Sequence, residues 1–344
     1  MDNLSVISAS QGPAPQAASV VLEEDERGAR FGRLHGNSEA MRKVYRLISK
    51  VAPTEATVLL VGESGCGKEL VATTIHELSA RRNGPFLAVN CGAIPATLIE
   101  AELFGYEKGA FTGAAKLHKG FFERAAGGTL FLDEITEMAP EMQVRLLRVL
   151  ESGVFARVGG ETEVRADVRV ITATNREPIA AVHEGRLRED LMYRLAVFPI
   201  ELPPLRLRGD DIELLSRHFV AELCSESGLQ KRLSDAALET LRRHSWPGNV
   251  RELRNVLQRA FILADDVVEI DPAELNASQR KAQPSSRRLQ FDIGIPLAEI
   301  ERQTIFATLE HFRGNKRRCA EVLGVSLKTL YNRLSEYDAC GVTV

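Results

Sequence analysis

The sequence contains no run of about 18 apolar residues, and its start shows neither the basic residues nor the apolar core of a secretory leader. A membrane-spanning helix is therefore excluded, and the cytoplasm is the expected compartment. Cysteine is scarce as well. Cys66, Cys91, Cys224, Cys319 and Cys340 are odd in number, scattered and never spaced as CxxC, which argues against a disulfide framework and a zinc site. Reduced thiols are expected. No internal repeat is present, and no strong charge of one sign: the net charge is −3 over 344 residues.

That small balance is unevenly shared. From Asn276 onward there are 11 Lys and Arg against 7 Asp and Glu, a net of +4 that leaves −7 for the remainder. The basic end is the expected place for nucleic acid. The length leaves room for two or three domains, each able to bury a core, and 44% hydrophobic with 26% charged residues is a globular composition.

The pattern along the chain divides it. Residues 1–30 include SASQGPAPQAAS, which offers too little apolar surface to order itself and is expected to be a flexible tail. Residues 31–209 read as an α/β domain. Met41, Val44, Tyr45, Leu47, Ile48 and Val51 recur at helical spacing behind an N-cap at Asn37 or Ser38. The apolar runs TVLLVG, FLAVN, TLFLDE and VRVITATN alternate with helical stretches. Strands lacking polar alternation, separated by helices, predict a parallel sheet covered on both faces. Residues 210–275 read as a small all-helical domain, 276–292 as a polar, basic linker broken by Pro284, and 293–344 as a helical C-terminal domain.

Gly62, Glu63, Ser64, Gly65, Cys66, Gly67 and Lys68 fit GxxxxGK between an apolar strand and a helix. Glycines let backbone N–H groups turn inward on phosphate oxygens, the helix N-terminus adds its positive end, and Lys68 reaches the β and γ phosphates. A plain glycine-rich turn is the bland alternative; the strand before and helix after favour nucleotide binding. Glu69 stands where Ser or Thr usually ligates magnesium, so the metal must be held otherwise. Thr129–Leu132 runs as a buried strand into Asp133 and Glu134, delivering two carboxylates to a C-terminal strand end. Asp133 is expected to hold Mg2+ through water and Glu134 to orient the attacking water. Asn175, ending VITATN, is a candidate sensor of the γ-phosphate.

With Gly109, Ala110, Phe111, Thr112, Gly113 and Ala114, inside ELFGYEKGAFTGA, the chain resembles the sigma-54-dependent transcription activators, bacterial enhancer-binding proteins of the AAA+ class. The GESGCGKE form, with Glu69 after the lysine, is that family's form too. The resemblance spans roughly residues 31–270 and implies an AAA+ P-loop sheet with helices on both faces, an all-α lid and a C-terminal helix-turn-helix of Fis type. It implies that residues 109–114 tip a loop touching sigma-54 in the closed promoter complex. Asn90 then matches the residue that pairs with the catalytic Glu and couples nucleotide state to loop position. Arg188 and Arg194, in GRLREDLMYRL, match arginines that reach a neighbouring subunit's ATP; read alone, with Glu189 and Asp190 beside them, they are a salt-bridged helix face. Arg251, in WPGNVRELRN, matches the second-sensor arginine of the lid. Arginines acting in trans imply a homo-oligomer, commonly a hexamer.

In Asn315–Leu334, the apolar positions are Ala320, Val322, Leu323, Val325, Leu330 and Leu334, Gly324 supplies a turn, and Ser326 can cap the second helix. Lys328, Thr329, Asn332 and Arg333 would face the major groove of enhancer DNA, with Lys316, Arg317 and Arg318 on phosphates. A helical hairpin used for dimerisation is the alternative. With about 35 residues before the ATPase, control is expected from expression level, DNA-dependent assembly or an inhibitory or co-activating partner in trans. A DNA-binding regulator without motor function has no need of Glu134 or GAFTGA, and an unfoldase or helicase loader has no need of that loop with a helix-turn-helix. The resemblance implies an ATP-hydrolysing activator of sigma-54 RNA polymerase.

Overall fold

A computed structural model describes residues 23–25, 28–272, 275, 291, 294–312 and 314–339. The chain divides into two compact units, Met1–Asn276 and Ala277–Val344. Residues 1–22 of the expected tail and nearly all of the expected linker lie outside the described residues.

The first unit opens with three short strands, β1 (Glu23–Asp25), β2 (Gly28–Phe31) and β3 (Leu34–His35), paired antiparallel. This ribbon reaches back into the segment read as a tail, because Phe31 and Leu34 are buried and anchor it to the core. Next come α1 (Glu39–Val51), β4 (Val58–Val61), α2 (Lys68–Glu77), β5 (Phe86–Asn90), α3 (Ile99–Phe104), α4 (Phe121–Arg124) and β6 (Thr129–Asp133). They are followed by α5 (Pro140–Ser152), the hairpin β7 (Val154–Ala156) and β8 (Glu163–Arg165), β9 (Arg169–Thr174), α6 (Pro178–His183), α7 (Glu189–Leu195) and β10 (Phe198–Glu201). Five strands form one sheet in the order β10-β4-β9-β6-β5, parallel throughout.

Side chains alternate across a strand, and β6 and β9 show how this builds two cores. Leu130, Leu132 and Val170 pack on one side with α3, α5 and α7, whereas Phe131, Ile171 and Ala173 pack on the other with α1 and α2. The two-faced parallel sheet predicted from the apolar runs is what forms. One of its strands was not anticipated: β10 carries Pro199, which cannot donate to a ladder and is tolerated here because β10 is an edge.

Helix α1 is held electrostatically at both ends. Ser38 caps it, accepting from Met41 N at 3.3 Å. Buried Asp211 takes hydrogen bonds from Asn37 N, Ser38 N and Ser38 Oγ at 2.6–2.9 Å. At the other end buried Arg169 donates to the carbonyls of Ala52 and Val51 at 2.7 and 2.9 Å. A carboxylate at the N-terminus and a guanidinium at the C-terminus oppose the helix dipole correctly.

The lid consists of α8 (Asp211–Ser227), α9 (Asp235–Arg243) and α10 (Asn249–Leu263), with a two-residue parallel pair β11 (Arg232–Leu233) and β12 (Val267–Val268). Trp246 lies fully buried in its core, its indole N–H on Leu241 O at 2.9 Å. The C-terminal unit has α11 (Leu297–His311), α12 (Lys316–Val322) and α13 (Leu327–Ala339). Its core is Ile305, Cys319, Ala320, Leu330 and Leu334. Two of the apolar positions lie outside this core: Val322 is 57% and Val325 37% exposed, because Cys319 and Ala320 occupy the inward face of the seven-residue α12.

Candidate functional site

The sheet order brings the C-terminal ends of β4, β9, β6 and β5 side by side, the edge where open α/β sheets bind ligands. Gly62 N bonds to Thr174 O at 3.1 Å, so the loop after β4 leaves against the end of β9. The loop turns through Gly65 at φ 77° and Gly67 at φ 103°, values that favour glycine. A Cβ at Gly65 would lie 2.4 Å from Gly248 O, so only glycine admits the lid this close. Lys68, 8% exposed, directs its ammonium onto the carbonyls of Gly62 and Glu63 at 2.8 and 3.3 Å. Cys66 is buried, which pushes its thiol pKa up, and its carbonyl accepts from buried Arg208 at 2.7 Å. Glu69 is exposed in the first turn of α2.

On β6, Asp133 stands in register with Asn90, and its Oδ1 accepts from Glu134 N at 2.9 Å. Glu134 has φ 53°, a left-handed conformation that costs a non-glycine residue roughly 1–2 kcal/mol. Such strain is held at functional sites when surrounding structure fixes it. The Glu134 carboxylate lies over Gly92, where a Cβ would meet Oε2 at 2.7 Å and Asn90 Oδ1 at 3.4 Å. Asn90 Oδ1 accepts from Gly92 N and Ala93 N at 2.9 and 3.0 Å. The two side chains therefore converge on Gly92, with Asn90's oxygen engaged by its own turn. Burial, then Asp133 and Glu134, push the neighbouring Cys91 thiol up to about 12. Asn175 is exposed immediately after β9.

The lid closes on the loop from the opposite side. Arg251 donates to Ser64 Oγ at 3.2 Å, and its N–H reaches Gly65 O at 3.3 Å. Sequence reasoning missed Asn249, fully buried at φ 52°, which donates to Glu63 Oε2 and Ser64 O at 3.0 and 3.1 Å and accepts from Leu205 N at 2.8 Å. Arg206 grips Glu63 with two hydrogen bonds at 2.6 and 2.9 Å, holding its carboxyl below the usual range. A cavity of about 710 Å³ opens beside Cys66 and Gly67, lined by Leu34 and His35 of the ribbon and by His218 and Phe219 of the lid. This size suits a small-molecule ligand. The His35 and His218 rings stack across it at 3.8 Å.

Arg188 and Arg194 are not brought to this edge. Arg188 pairs with Asp190 at 2.7 Å, and Arg194 donates to Leu150 O at 2.6 Å.

Residues Gly109–Ala114 form a turn with positive φ at Gly109 and Gly113, closed by Gly109 N to Ala114 O at 2.8 Å. Ala110, Thr112 and Gly113 lie on this turn, and Phe111, 44% exposed, touches the Tyr106 ring edge-on at 4.9 Å. Below the tip Arg157, also missed, bonds Glu107 at 2.7 Å and Glu123 at 2.7 and 2.8 Å. It clamps the turn's base to the loop after β7 and to α4.

In the C-terminal unit Ser326 caps α13, accepting from Thr329 N at 3.0 Å, and Gly324 turns at φ 67°. Lys316, Arg317, Arg318, Lys328 and Asn332 are exposed. Arg318 pairs with Glu321, and Arg333 with Glu301 and Glu336.

Family models agree with this architecture. Residues 34–201 match the sigma-54 interaction domain, 206–290 an AAA+ ATPase lid domain, and 296–337 the Fis family of bacterial regulatory proteins. The chain is 44% identical over 334 residues to the DNA-binding transcriptional regulator NtrC of Azospirillum brasilense, covering 89% of this chain and 69% of that protein. It belongs to the sigma-54 activator family. The nitrogen fixation protein AnfA of Azotobacter vinelandii is 47% identical over 303 residues, 88% of this chain and 57% of AnfA. Among solved structures, NtrX from Brucella abortus in complex with ATP is 36% identical with a TM-score of 0.64, covering 91% of this chain and 70% of NtrX. The chain is thus an AAA+ ATPase of this family with a Fis-type DNA-binding helix-turn-helix. No helix among the described residues is long and apolar enough to cross a membrane.

Proposed function

We propose that this protein hydrolyses ATP as a hexameric ring, completed by arginines acting in trans, and uses the stroke to remodel the sigma-54 closed promoter complex into the open one.

 The observation that carries this reading is an exposed Phe111 at the tip of a turn whose base is clamped by Arg157, in a chain whose Lys68, Asp133, Glu134 and Arg251 gather at one sheet edge.

Each proposed role rests on that geometry. Lys68 and residues Gly62–Glu69 bind the phosphates, the cavity beside Gly67 takes the base, and Arg251 and Asn175 report on the γ-phosphate. Among the described residues no group of three His, Cys, Asp or Glu could hold a metal ion. A cation held by one carboxylate, water and substrate phosphates fits such a site, which is how Mg2+ binds nucleotides, and Asp133 is the carboxylate. Bound Mg2+ neutralises charge on the phosphates. Glu134 orients and polarises the attacking water. Asn90 couples its state to the turn at Gly109–Ala114, which contacts sigma-54. Arg188 and Arg194, which bond to Asp190 and Leu150 O rather than to their own chain's loop, serve the neighbouring subunit.

The division into 31–209, 210–275, a 276–292 linker and 293–344 follows the same reading, with the last segment on enhancer DNA and the protein in the cytoplasm.

Glu134→Ala and Thr112→Ala test the separation of motor from output. ATP hydrolysis and open-complex formation with sigma-54 holoenzyme are measured for each. Glu134→Ala loses both; Thr112→Ala keeps hydrolysis within about threefold, since it touches no catalytic group, and loses promoter opening. Wild-type protein that hydrolyses ATP yet never opens a sigma-54 promoter sinks the proposal.

A further inference from the structure

The second helix of the C-terminal unit, α13, has two faces. Leu330 and Leu334 fill the core. Leu327 with Tyr331, and Lys328 with Asn332, each lie four residues apart and form two neighbouring rows, one apolar and one polar, and all four residues are exposed. Two residues that the sequence marked as base readers are otherwise engaged. Arg333 pairs with Glu301 of α11 and Glu336 of α13, both at 3.2 Å. The Thr329 hydroxyl lies 2.7 Å from Ser326 Oγ, inside the cap. Tyr331, by contrast, is 48% exposed and Leu327 37%. Lys316 Nζ sits 4.8 Å from the Tyr331 ring centroid, which places that ring beside the basic start of α12, with Arg317 next to it.

An apolar stripe framed by Lys316, Arg317 and Lys328 is poorly matched to a second copy of itself, since like charges would meet. A phosphate backbone neutralises that frame. Between its phosphates the major groove presents one apolar feature, the C5 methyl of thymine. We infer that Tyr331 and Leu327 read thymine methyl groups, with Lys328 and Asn332 on polar base edges and Lys316 and Arg317 on phosphates, while Arg333 braces α13 against α11. This rests on the proposed DNA binding of the unit and names the chemistry it reads.

The test uses the full chain and a pool of random duplexes. Wild type is expected to enrich a sequence containing at least one thymine whose replacement by uracil, which removes only the methyl, weakens binding about threefold to fivefold. Tyr331→Ala binds that sequence roughly tenfold more weakly and no longer distinguishes thymine from uracil there. Tyr331→Phe keeps the distinction, and Arg333→Gln enriches the wild-type sequence. A Tyr331→Ala protein with unchanged preference and unchanged response to uracil overturns the inference. So does one that keeps its base preference but falls to a smaller oligomer in sedimentation, which would make the stripe a contact between copies. If wild type enriches no sequence at all, the DNA-binding reading fails and takes the inference with it.

Discussion

The loop Gly62–Lys68 and the turn Gly109–Ala114 are both glycine-rich, yet they are held in opposite ways. Around the first, Asn249, Arg206, Arg208 and Arg251 all bond to loop atoms, and the lid approaches so closely that Gly65 has no room for a Cβ. Around the second, a Cβ on Gly109 or Gly113 would meet nothing within 4 Å. Arg157 fixes its base, and at its tip Phe111 meets the Tyr106 ring while staying 44% exposed. Positioning phosphates for chemistry requires donors already in place, whereas a surface that engages another protein must be free to leave its own. Glycine admits the lid's close approach in one loop and leaves open space around the other.

The largest stability effect should come from the fixed loop. Asn249→Ala removes three hydrogen bonds and leaves the buried Leu205 N without its acceptor. An orphaned buried donor costs about 1–3 kcal/mol, and alanine at φ 52° adds roughly 1 kcal/mol. Chemical denaturation should show a loss of about 2–4 kcal/mol, and ATP binding should weaken with it. Asn249→Gly, which tolerates the backbone, should recover the conformational part alone. A loss under about 0.5 kcal/mol for Asn249→Ala would mean that the lid is not latched through this residue.

Arg157→Ala should rank next, at roughly 2 kcal/mol, because it strands the nearly buried Glu123 carboxylate. Its sharper signature is functional: hydrolysis retained, promoter opening reduced. If hydrolysis falls as far as opening does, the clamp belongs to the motor and the contrast between the two loops is lost. Phe111→Ala should change stability by less than about 0.5 kcal/mol, the usual range for an exposed site, while promoter opening fails. A large stability loss there would show the tip to be packed rather than presented.

What the sequence made legible follows the range of the interactions. Residues Gly62–Lys68, the Asp133–Glu134 strand end and the Ser38 and Ser326 caps are local patterns, readable because spacing alone fixes their geometry. Asn249 and Arg157 were not readable that way. Their partners Glu63, Glu107 and Glu123 lie 186, 50 and 34 residues away, and a buried polar residue announces itself only by partners that folding supplies. Arg333 illustrates the same limit from the other side. Its type and position fitted a DNA contact, but Glu301, 32 residues earlier on another helix, engages it. β10 was lost to Pro199, a strand-breaking signal that only an edge position neutralises.

The smallest expected effect separates the lid's core from its latch by pH. His244 stacks edge-on with Trp246 at 4.5 Å, and its Nδ1 accepts from Trp246 N at 3.1 Å. Burial holds its pKa below 6.5. An imidazole kept neutral in the folded state protonates first in the unfolded chain, so stability is full above pH 6.5 and falls as the pH drops toward the folded value. Glu63 behaves differently: with its pKa held below 4.5 by Arg206, its contribution persists above that value and is lost only as pH falls through the depressed pKa. Denaturation followed by the fluorescence of Trp246, the chain's one tryptophan, should therefore show a lower midpoint at about pH 5.5 than at about pH 7.5. His244→Gln should narrow that difference, and Glu63→Gln should leave it unchanged. If Glu63→Gln narrows it instead, the latch titrates in the neutral range, and the fixed loop is less firmly held than its hydrogen bonds imply.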